Sequence, residues 1–141
     1  MQNSAGLKIV IIGCGNVAWH LSNHLKDIKH YNLFVYNHKP NSKLTDFKNK
    51  LNCKAESSFS NIIADADFYF ICVSDKFISD TTEKLKLINQ NAIVVHTSGS
   101  VSIDAIDDKN RQGVFYPLQT FSKSKEIDFE TIPICLETKY N

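Results

Sequence analysis

The sequence predicts an α/β fold built on a doubly wound, mostly parallel sheet with helices on both faces. Short runs rich in Val, Ile, Phe and Tyr alternate with longer helix-compatible stretches from the first residues onward. Several of these runs are apolar at successive positions, which is typical of strands covered on both faces. The length of 141 residues suits one domain with its own core. We therefore expect residues 1–141 to form a single domain.

Six apolar runs are expected to form the strands of this sheet. They are residues 7–13, 32–37, 67–74, 92–97, 113–116 and 132–137. One face of a first helix is indicated by apolar side chains at helical spacing, namely Val17, Leu21, Leu25 and Ile28. The other helix candidates are residues 60–64, 76–88 and 102–107. Ser102 is the expected N-cap of the last one, and residues 39–43 are the most turn-like part of the chain.

Composition narrows the class of protein. The net charge of +1 does not suggest a general nucleic-acid-binding surface. The first apolar run is too short to span a bilayer, and no small-residue cleavage site follows it. None of the four cysteines forms a C-x-x-C pair, so reduced thiols in the cytoplasm are expected. These features predict a cytoplasmic protein that binds neither nucleic acid nor membranes.

The stretch "IVIIGCGNVAWHL" places G-x-G-x-x-A between a predicted strand and a predicted helix. This is the fingerprint of a Rossmann phosphate-binding turn. Gly13 would allow the sharp turn, and Gly15, which lacks a Cβ, would let a pyrophosphate approach the backbone. The first amides of the helix, around Asn16 and Val17, would form an anion site. A purely structural turn is the alternative.

The end of the second predicted strand bears on the choice of cofactor. NAD sites usually carry Asp or Glu about 20 residues after the glycine turn, where it binds the ribose 2′-hydroxyl. Here the strand ends in Asn37, His38 and Lys39. Amide and cationic groups can bind a 2′-phosphate that a carboxylate would repel. The sequence therefore favours NADP over NAD, and a solvated basic loop is the alternative.

The fourth of these runs, residues 92–97, opens directly into small and polar residues. The run finishes in His96 and Thr97. His96 is a candidate for proton transfer, and a core or strand-end histidine hydrogen-bonded to backbone is the alternative. The amides of Ser98 to Ser100 are expected to hold a nicotinamide carboxamide or a substrate carboxylate. Both features would lie at the carboxyl edge of the sheet, where ligands of such folds bind.

Several other polar or aromatic residues are candidates for a structural or functional role. Asp75 is expected to cap the following helix. His20 and His24 lie four residues apart on the first helix but lack a third ligand, so we expect two solvated histidines and no metal site. Trp19 lies off the apolar face and is expected to pack against a partner or another domain.

Six stretches together resemble a Rossmann-like oxidoreductase family whose N-terminal NADP-binding domain precedes an uncharacterised helical domain. They are "IVIIGCGNVAWHL", "FVYNHKPNSK", "DFYFICVSD", "VVHTSGSVSIDAI", "GVFYPLQTFS" and "IPICLE". The resemblance extends from Leu7 to about Glu137, and "HTSGS…GVFYPLQTF" is its most specific part. More distantly, the sequence is similar to pyrroline-carboxylate reductases, prephenate dehydrogenases and hydroxyacid dehydrogenases.

The resemblance implies a role for each matched segment. The pyrophosphate would contact Gly13, Gly15, Asn16 and Val17, and the adenosine ribose with its phosphate would contact Asn37, His38 and Lys39. Val73 and Ser74 would lie beside the nicotinamide and its ribose. The reactive cleft would be lined by His96, Ser98, Gly99 and residues 116–118. A helical domain following residues 1–141 would make a homodimer and close the cleft.

These features predict an NADP-dependent oxidoreductase that transfers hydride between nicotinamide and a small carbonyl, imine or hydroxy-acid compound. A dinucleotide-binding or sensing module without chemistry is the first alternative, because no Lys–Asp or Tyr–Lys catalytic pair is evident. An adenosylmethionine-dependent transferase is the second. The sequence identifies no particular substrate.

Overall fold

The computed structural model describes residues 5–140 as one sheet with helices packed on both of its faces. The strands are β1 (Leu7–Ile12), β2 (Tyr31–Asn37), β3 (Lys54–Ser57), β4 (Phe68–Ile71), β5 (Ile93–His96), β6 (Arg111–Pro117) and β7 (Ile134–Thr138). The α-helices are α1 (Asn16–Leu25), α2 (Ser42–Asn49) and α3 (Ile78–Lys84). Single 3₁₀ turns are formed by Phe59–Asn61, Asp75–Phe77, Ile103–Ala105 and Phe129–Thr131.

The sheet has the strand order β3-β2-β1-β4-β5-β6-β7. All neighbouring strands from β3 to β6 pair in parallel, and β7 pairs antiparallel with β6. The predicted doubly wound, mostly parallel α/β sheet is therefore confirmed. The antiparallel direction of the last strand is an addition that the sequence did not predict.

Two apolar clusters lie on opposite faces of the sheet. On one face, α1 and α2 contribute Leu21 and Phe47, which pack with Ile11 and Val35 of the central strands. On the other face, α3 contributes Ile78, which packs with strand residues that include Val10, Ile12, Tyr69 and Ile71. Each central strand thus buries side chains in both directions, which explains its uninterrupted apolar run.

The order of the strands reverses direction at β1. From β1 the chain builds outward through β2 and β3, and it then returns to add β4 on the opposite side of β1. A crevice forms at such a crossover, outside the carboxyl ends of the strands. The ends that face this edge are Ile12 of β1, Asn37 of β2, Ile71 of β4 and His96 of β5.

Some predicted elements differ from the observed ones. Residues 76–88 do not form one helix, because α3 ends at Lys84 and Leu85 takes up an extended conformation. From there on, side chains alternate between half-buried Leu85 and Leu87 and exposed neighbours, a period of two that suits an extended segment. Residues 60–64 contain only part of a 3₁₀ turn. Within residues 102–107 the helix is again a 3₁₀ turn, and Ser102 caps it as predicted by accepting from the Asp104 amide.

Two elements were not predicted from the sequence. The supposed turn at residues 39–43 leads straight into α2, which Asn41 caps by accepting a hydrogen bond from the Leu44 amide at 2.9 Å. The short edge strand β3 follows. The strand β3 extends the sheet beyond β2, and α2 precedes it. Both lie on the side of the sheet where the adenosine of the predicted cofactor would bind.

Candidate dinucleotide site

The turn after β1 is held in place by both neighbouring strands. Gly13 has a φ of 120°, and a Cβ on it would lie 2.2 Å from the carbonyl oxygen of Cys72. Its amide donates to the carbonyl oxygen of Tyr36 at 2.7 Å. Only glycine fits such a position, because L residues with a side chain rarely adopt this φ. The strand therefore turns sharply and delivers the chain to the start of α1.

Gly15 is the N-cap residue of α1, and it faces open space. No heavy atom would lie within 4 Å of a Cβ built on it. No side chain caps the helix, and within residues 5–140 the amides of Asn16, Val17 and Ala18 have no acceptor. Unpaired amides and the positive end of the helix dipole favour an anion at this point. The residues here fit a dinucleotide diphosphate, because both the donors and the space are available.

The end of β2 and the start of α2 lie beside this turn. The side chain of Asn37 is buried and donates to the carbonyl oxygen of Lys39 at 2.8 Å, so it shapes its own loop. His38 and Lys39 are exposed. The Asn41 side chain contacts the Cys14 thiol at 3.6 to 3.7 Å and so joins the α2 cap to the glycine turn. No carboxylate occupies residues 37–43.

The segments that follow β4 and β5 contact each other directly. Val73 is half-buried, Ser74 is exposed, and a 3₁₀ turn begins at Asp75. The predicted cap at Asp75 is wrong: its carboxylate accepts a hydrogen bond from the Ser100 hydroxyl at 2.9 Å instead. The ends of the two strands are therefore linked across the carboxyl edge.

His96 is fully buried at the end of β5. Its Nδ1 accepts from the Ser98 amide at 3.1 Å, and its Nε2 lies 3.3 Å from the carbonyl oxygen of Ser102. These contacts require the tautomer with the proton on Nε2. Burial lowers the pKa of His96, which favours the neutral ring. The side chain thus has the backbone-bonded arrangement that the sequence offered as one of two alternatives, with no free ring nitrogen. Its role in proton transfer stays a prediction.

The turn after β5 uses most of its own amides. The Ser98 hydroxyl accepts from the amides of Ser100 and Val101 at 3.2 and 3.3 Å, and the Ser98 amide binds His96. The amides of Ser98 and Ser100 therefore have partners within the turn, and their role in holding a ligand stays a prediction. The amide of Gly99 has no acceptor within residues 5–140. The Tyr116 ring packs closely against Gly99, since a Cβ there would lie 2.6 Å from it.

Residues 118–128, which follow β6, run over the first half of α1, and no local sequence pattern predicts this. The Asn16 side chain donates to the carbonyl oxygen of Phe121 at 3.1 Å, and Nε2 of His20 lies 2.7 Å from that of Ser122. Lys123 forms an ion pair with Asp46 of α2. Hydrogen bonds from Lys123 and from Lys50 lower the pKa of the Asp46 carboxyl. The segment 118–128 therefore connects the first residue of α1 with α2.

Aromatic residues of the chain surround three residues of α1, namely Trp19, His20 and His24. His20 is buried, and its ring lies 5.5 Å from that of Phe121, so it is not solvated. The ring of His24 stacks on Phe129 at 5.2 Å. Trp19 is half-buried, and its ring lies nearly perpendicular to that of Phe47 of α2 with the ring centres 5.2 Å apart. Packing of Trp19 against a partner or another domain stays a prediction. Within residues 5–140, no group of three or more His, Cys, Asp or Glu side chains is placed to hold a metal.

The four cysteines are free thiols in very different surroundings. Cys53 is buried, and Cys135 is exposed. Burial raises the pKa of Cys72, beneath the glycine turn, to about 12. Such a thiol stays protonated and acts as a small apolar side chain. None of the helices in the described part of the chain has the length and apolar character needed to cross a membrane.

Comparison with protein-family models identifies residues 8–99 as a match to the family described as "NADP oxidoreductase coenzyme F420-dependent". The match covers about two thirds of the chain and contains β1 to β5. It therefore includes the turn after β1 and the segments that follow β2, β4 and β5. A comparison with curated protein sequences gave no match.

Solved structures share the fold. A Bacteroides fragilis protein provisionally named an NADP oxidoreductase is 27% identical, with a TM-score of 0.80 over 98% of this chain and 54% of its own. Pyrroline-5-carboxylate reductase from Coxiella burnetii is 22% identical, with a TM-score of 0.68 over 82% of this chain and 44% of its own. Prephenate dehydrogenase from A. aeolicus, in complex with hydroxyphenyl propionate and NAD+, is 14% identical, with a TM-score of 0.74 over 94% of this chain and 51% of its own. The chain spans about half the length of these proteins.

Proposed function

Because this chain belongs to a Rossmann-like, NADP-binding oxidoreductase family, we propose that it is the dinucleotide domain of an NADP-dependent oxidoreductase. The substrate class is a small carbonyl, imine or hydroxy-acid compound. The bound nicotinamide would supply or accept the hydride, and the protein would orient the ring and exclude water. This reading agrees with the resemblance seen in the sequence.

One observation carries the proposal. The amides of Asn16, Val17 and Ala18 have no acceptor within residues 5–140, and they lie next to Gly15, where a side chain would meet only open space. They lie at the crossover between β1 and β4, where ligands of doubly wound sheets bind. We infer that Gly13, Gly15, Asn16 and Val17 hold the diphosphate.

The preference for NADP rests on charge. We propose that His38 and Lys39 bind the 2′-phosphate and that Asn37 shapes the loop that presents them. Both His38 and Lys39 are exposed, and Ser42 and Lys43 begin α2 directly after this loop. A phosphate next to cationic and hydroxyl groups is favoured, and no carboxylate in residues 37–43 would repel it.

The nicotinamide half is proposed to lie against the ends of β4 and β5. Val73 and Ser74 would contact the ring and its ribose, and the turn that begins at Ser98 would border the substrate. His96 as proton donor would require its ring to break one backbone hydrogen bond, because both nitrogens have partners. That requirement makes its substitution an informative test.

The same geometry supports a second candidate: a module that binds the dinucleotide and carries out no chemistry. His96 was the one side chain that the sequence offered for proton transfer, and it is fully buried with both ring nitrogens engaged. The two candidates share the cofactor site and differ only in turnover.

We further propose that residues 1–141 are followed in the whole protein by a helical domain that forms a homodimer and completes the substrate cleft. The similar structures support this, because the chain spans about half of their length. A cytoplasmic location belongs to the same proposal, in keeping with the cofactor pool that such an enzyme needs.

Parallel calorimetric titrations with NADPH, NADH and adenosylmethionine test the cofactor assignment. We expect NADPH to bind most tightly and adenosylmethionine not to bind. Lys39→Glu should weaken NADPH at least about tenfold, or about 1.4 kcal/mol, and leave NADH nearly unchanged. Lys29→Glu, at an exposed lysine beyond the far end of α1, is the matched control. Unchanged NADPH affinity in Lys39→Glu would show that the phosphate contact is wrong.

Turnover separates the two candidates. Oxidation of NADPH by the full-length protein is followed with a panel of keto acids and imines. Turnover that is lost in His96→Gln while NADPH affinity is retained would support the enzyme and the role of His96. Tight binding of NADPH with no turnover on any compound would favour the module without chemistry.

A further inference from the structure

The two segments proposed to border the nicotinamide are joined by one side-chain contact. The Ser100 hydroxyl donates to Oδ2 of Asp75 at 2.9 Å, although the residues are 25 positions apart in the chain. Both side chains are exposed at the carboxyl edge. Neither side chain is part of the apolar core.

Asp75 and Ser100 each belong to a turn that has hydrogen bonds of its own. Ser100 belongs to a turn that the Ser98 hydroxyl closes by accepting from two amides, and His96 fixes the base of this turn through the Ser98 amide. Asp75 begins a 3₁₀ turn in which the Phe77 amide donates to the carbonyl oxygen of Ser74 at 2.8 Å. The hydrogen bond therefore links two turns that each have hydrogen bonds of their own.

The link lies across the predicted position of the nicotinamide half. Val73 and Ser74 immediately precede Asp75, and the exposed Gly99 immediately precedes Ser100. A charged acceptor makes this bond stronger than one between neutral groups. It holds the two segments at a fixed separation before any ligand arrives, which reduces the ordering cost of binding.

We propose that Asp75 and Ser100 are positioning residues that hold the nicotinamide-binding edges of β4 and β5 together. The inference rests on the proposed dinucleotide function. If it is correct, the pair contributes to binding of the nicotinamide half of the cofactor. Binding of the adenosine and diphosphate half depends instead on the turn after β1 and the start of α2.

Two ligands separate these halves: NADPH and 2′-phospho-ADP-ribose, which lacks the nicotinamide. In calorimetry, Ser100→Ala and Asp75→Ala should each weaken NADPH about fivefold to tenfold and change 2′-phospho-ADP-ribose less than about twofold. The double variant should be no weaker than either single variant, because both remove the same contact. Ser79→Ala, at an exposed serine in α3, is the control.

Conservative variants test whether the contact itself is responsible. Ser100→Thr keeps the hydroxyl donor and should bind NADPH within about twofold of the original chain. Asp75→Asn keeps an oxygen acceptor but loses the charge, so its loss of NADPH affinity should be smaller than that of Asp75→Ala. Circular dichroism and thermal unfolding of each variant establish that the fold is intact. A general structural role would weaken both ligands equally and would not be rescued in this way.

The outcomes are distinct. Equal losses for both ligands, or no loss of NADPH affinity in either alanine variant, would overturn the positioning role. If the unmodified chain binds neither ligand, the proposed dinucleotide function fails before the role of this pair is reached. A selective loss for NADPH with rescue by the conservative variants would establish it.

Discussion

The ammonium group of Lys123 lies 4.4 Å from the centre of the Trp19 ring and also pairs with the carboxylate of Asp46. The same ring lies nearly perpendicular to the ring of Phe47, with the ring centres 5.2 Å apart. One lysine from the segment 118–128 thus covers the aromatic contact between α1 and α2. Such a cation–aromatic contact contributes about 0.5–1 kcal/mol when it is partly exposed.

We expect Lys123→Ala to change the environment of Trp19. The ring loses its cover and becomes more accessible to water, so its emission maximum should shift to longer wavelength. Trp19 is the single tryptophan of the chain, which makes the signal unambiguous. Lys125→Ala, at an exposed lysine of the same segment, is the control. An unaltered emission spectrum in Lys123→Ala would contradict the contact.

Gly13 and Gly15 should respond to alanine in opposite ways. At Gly13 the positive φ costs about 1–2 kcal/mol, and the added Cβ also collides with the Cys72 carbonyl. Gly13→Ala should therefore unfold at a clearly lower temperature. Gly15→Ala should lower the melting temperature much less, since its Cβ meets no protein atom and only the preference for glycine over alanine at an N-cap is lost. It should nevertheless lose NADPH affinity, about tenfold or more (~1.4 kcal/mol), because the methyl group enters the proposed diphosphate space.

Thermal unfolding and NADPH titration of both variants measure these two effects separately. If Gly15→Ala binds NADPH as tightly as the original chain, the diphosphate does not lie against this residue.

Buried His96 should make stability depend on pH. Its pKa in the folded chain is below 6.5, the ordinary value that applies when unfolded. As the pH falls through 6.5, the unfolded state takes up a proton that the folded state does not, so stability decreases. Above that pH, this residue contributes no slope. His96→Gln should cost about 1–3 kcal/mol at pH 7.5 through its lost hydrogen bonds, and the difference should shrink in acid.

Urea unfolding at pH 7.5, 6.5 and 5.5 measures the slope. His38→Gln removes an exposed histidine and is the control. Equal slopes in His96→Gln and the original chain would mean that His96 takes up protons equally well in both states.

Tyr69 carries a buried hydroxyl that serves the backbone. It donates to the carbonyl oxygen of Ile63 at 2.7 Å and accepts from the Ala66 amide at 3.1 Å, and burial raises its pKa to about 12. Tyr69→Phe keeps the ring and leaves both groups without a partner, which should cost about 1–3 kcal/mol. Urea unfolding measures this cost. Tyr31→Phe, at a half-buried residue, is the control, and equal stabilities would refute the expectation.

The sequence predicted the central part of the sheet because its strands carry their own signal. Residues such as Val10 and Ile71 lie in runs that are buried on both faces, and such runs are apolar at every position. The edge elements lack this signal. In α2 the buried residues are Leu44 and Phe47, and in β3 only Ala55 is buried, so polar residues dominate both.

The surroundings of three residues of α1 could not be predicted for a different reason. Trp19, His20 and His24 lie off the predicted apolar face, and periodicity therefore assigned them to solvent or to a partner. They are covered by residues about a hundred positions later, such as Phe121 and Phe129. No local pattern encodes such a contact. The hydrogen bond between Asp75 and Ser100 was missed in the same way, because a carboxylate that begins a helical turn usually caps it.

The cover that the segment 118–128 gives to α1 and α2 has a consequence for how the molecule assembles. Its contacts join residues 77 to 105 positions apart, as in Lys123 with Asp46 and Asn16 with Phe121. Contacts of such long sequence separation slow folding, because a large loop must close before they form. During synthesis, the N-terminal helices therefore emerge long before the residues that cover them, and their aromatic side chains stay uncovered until then.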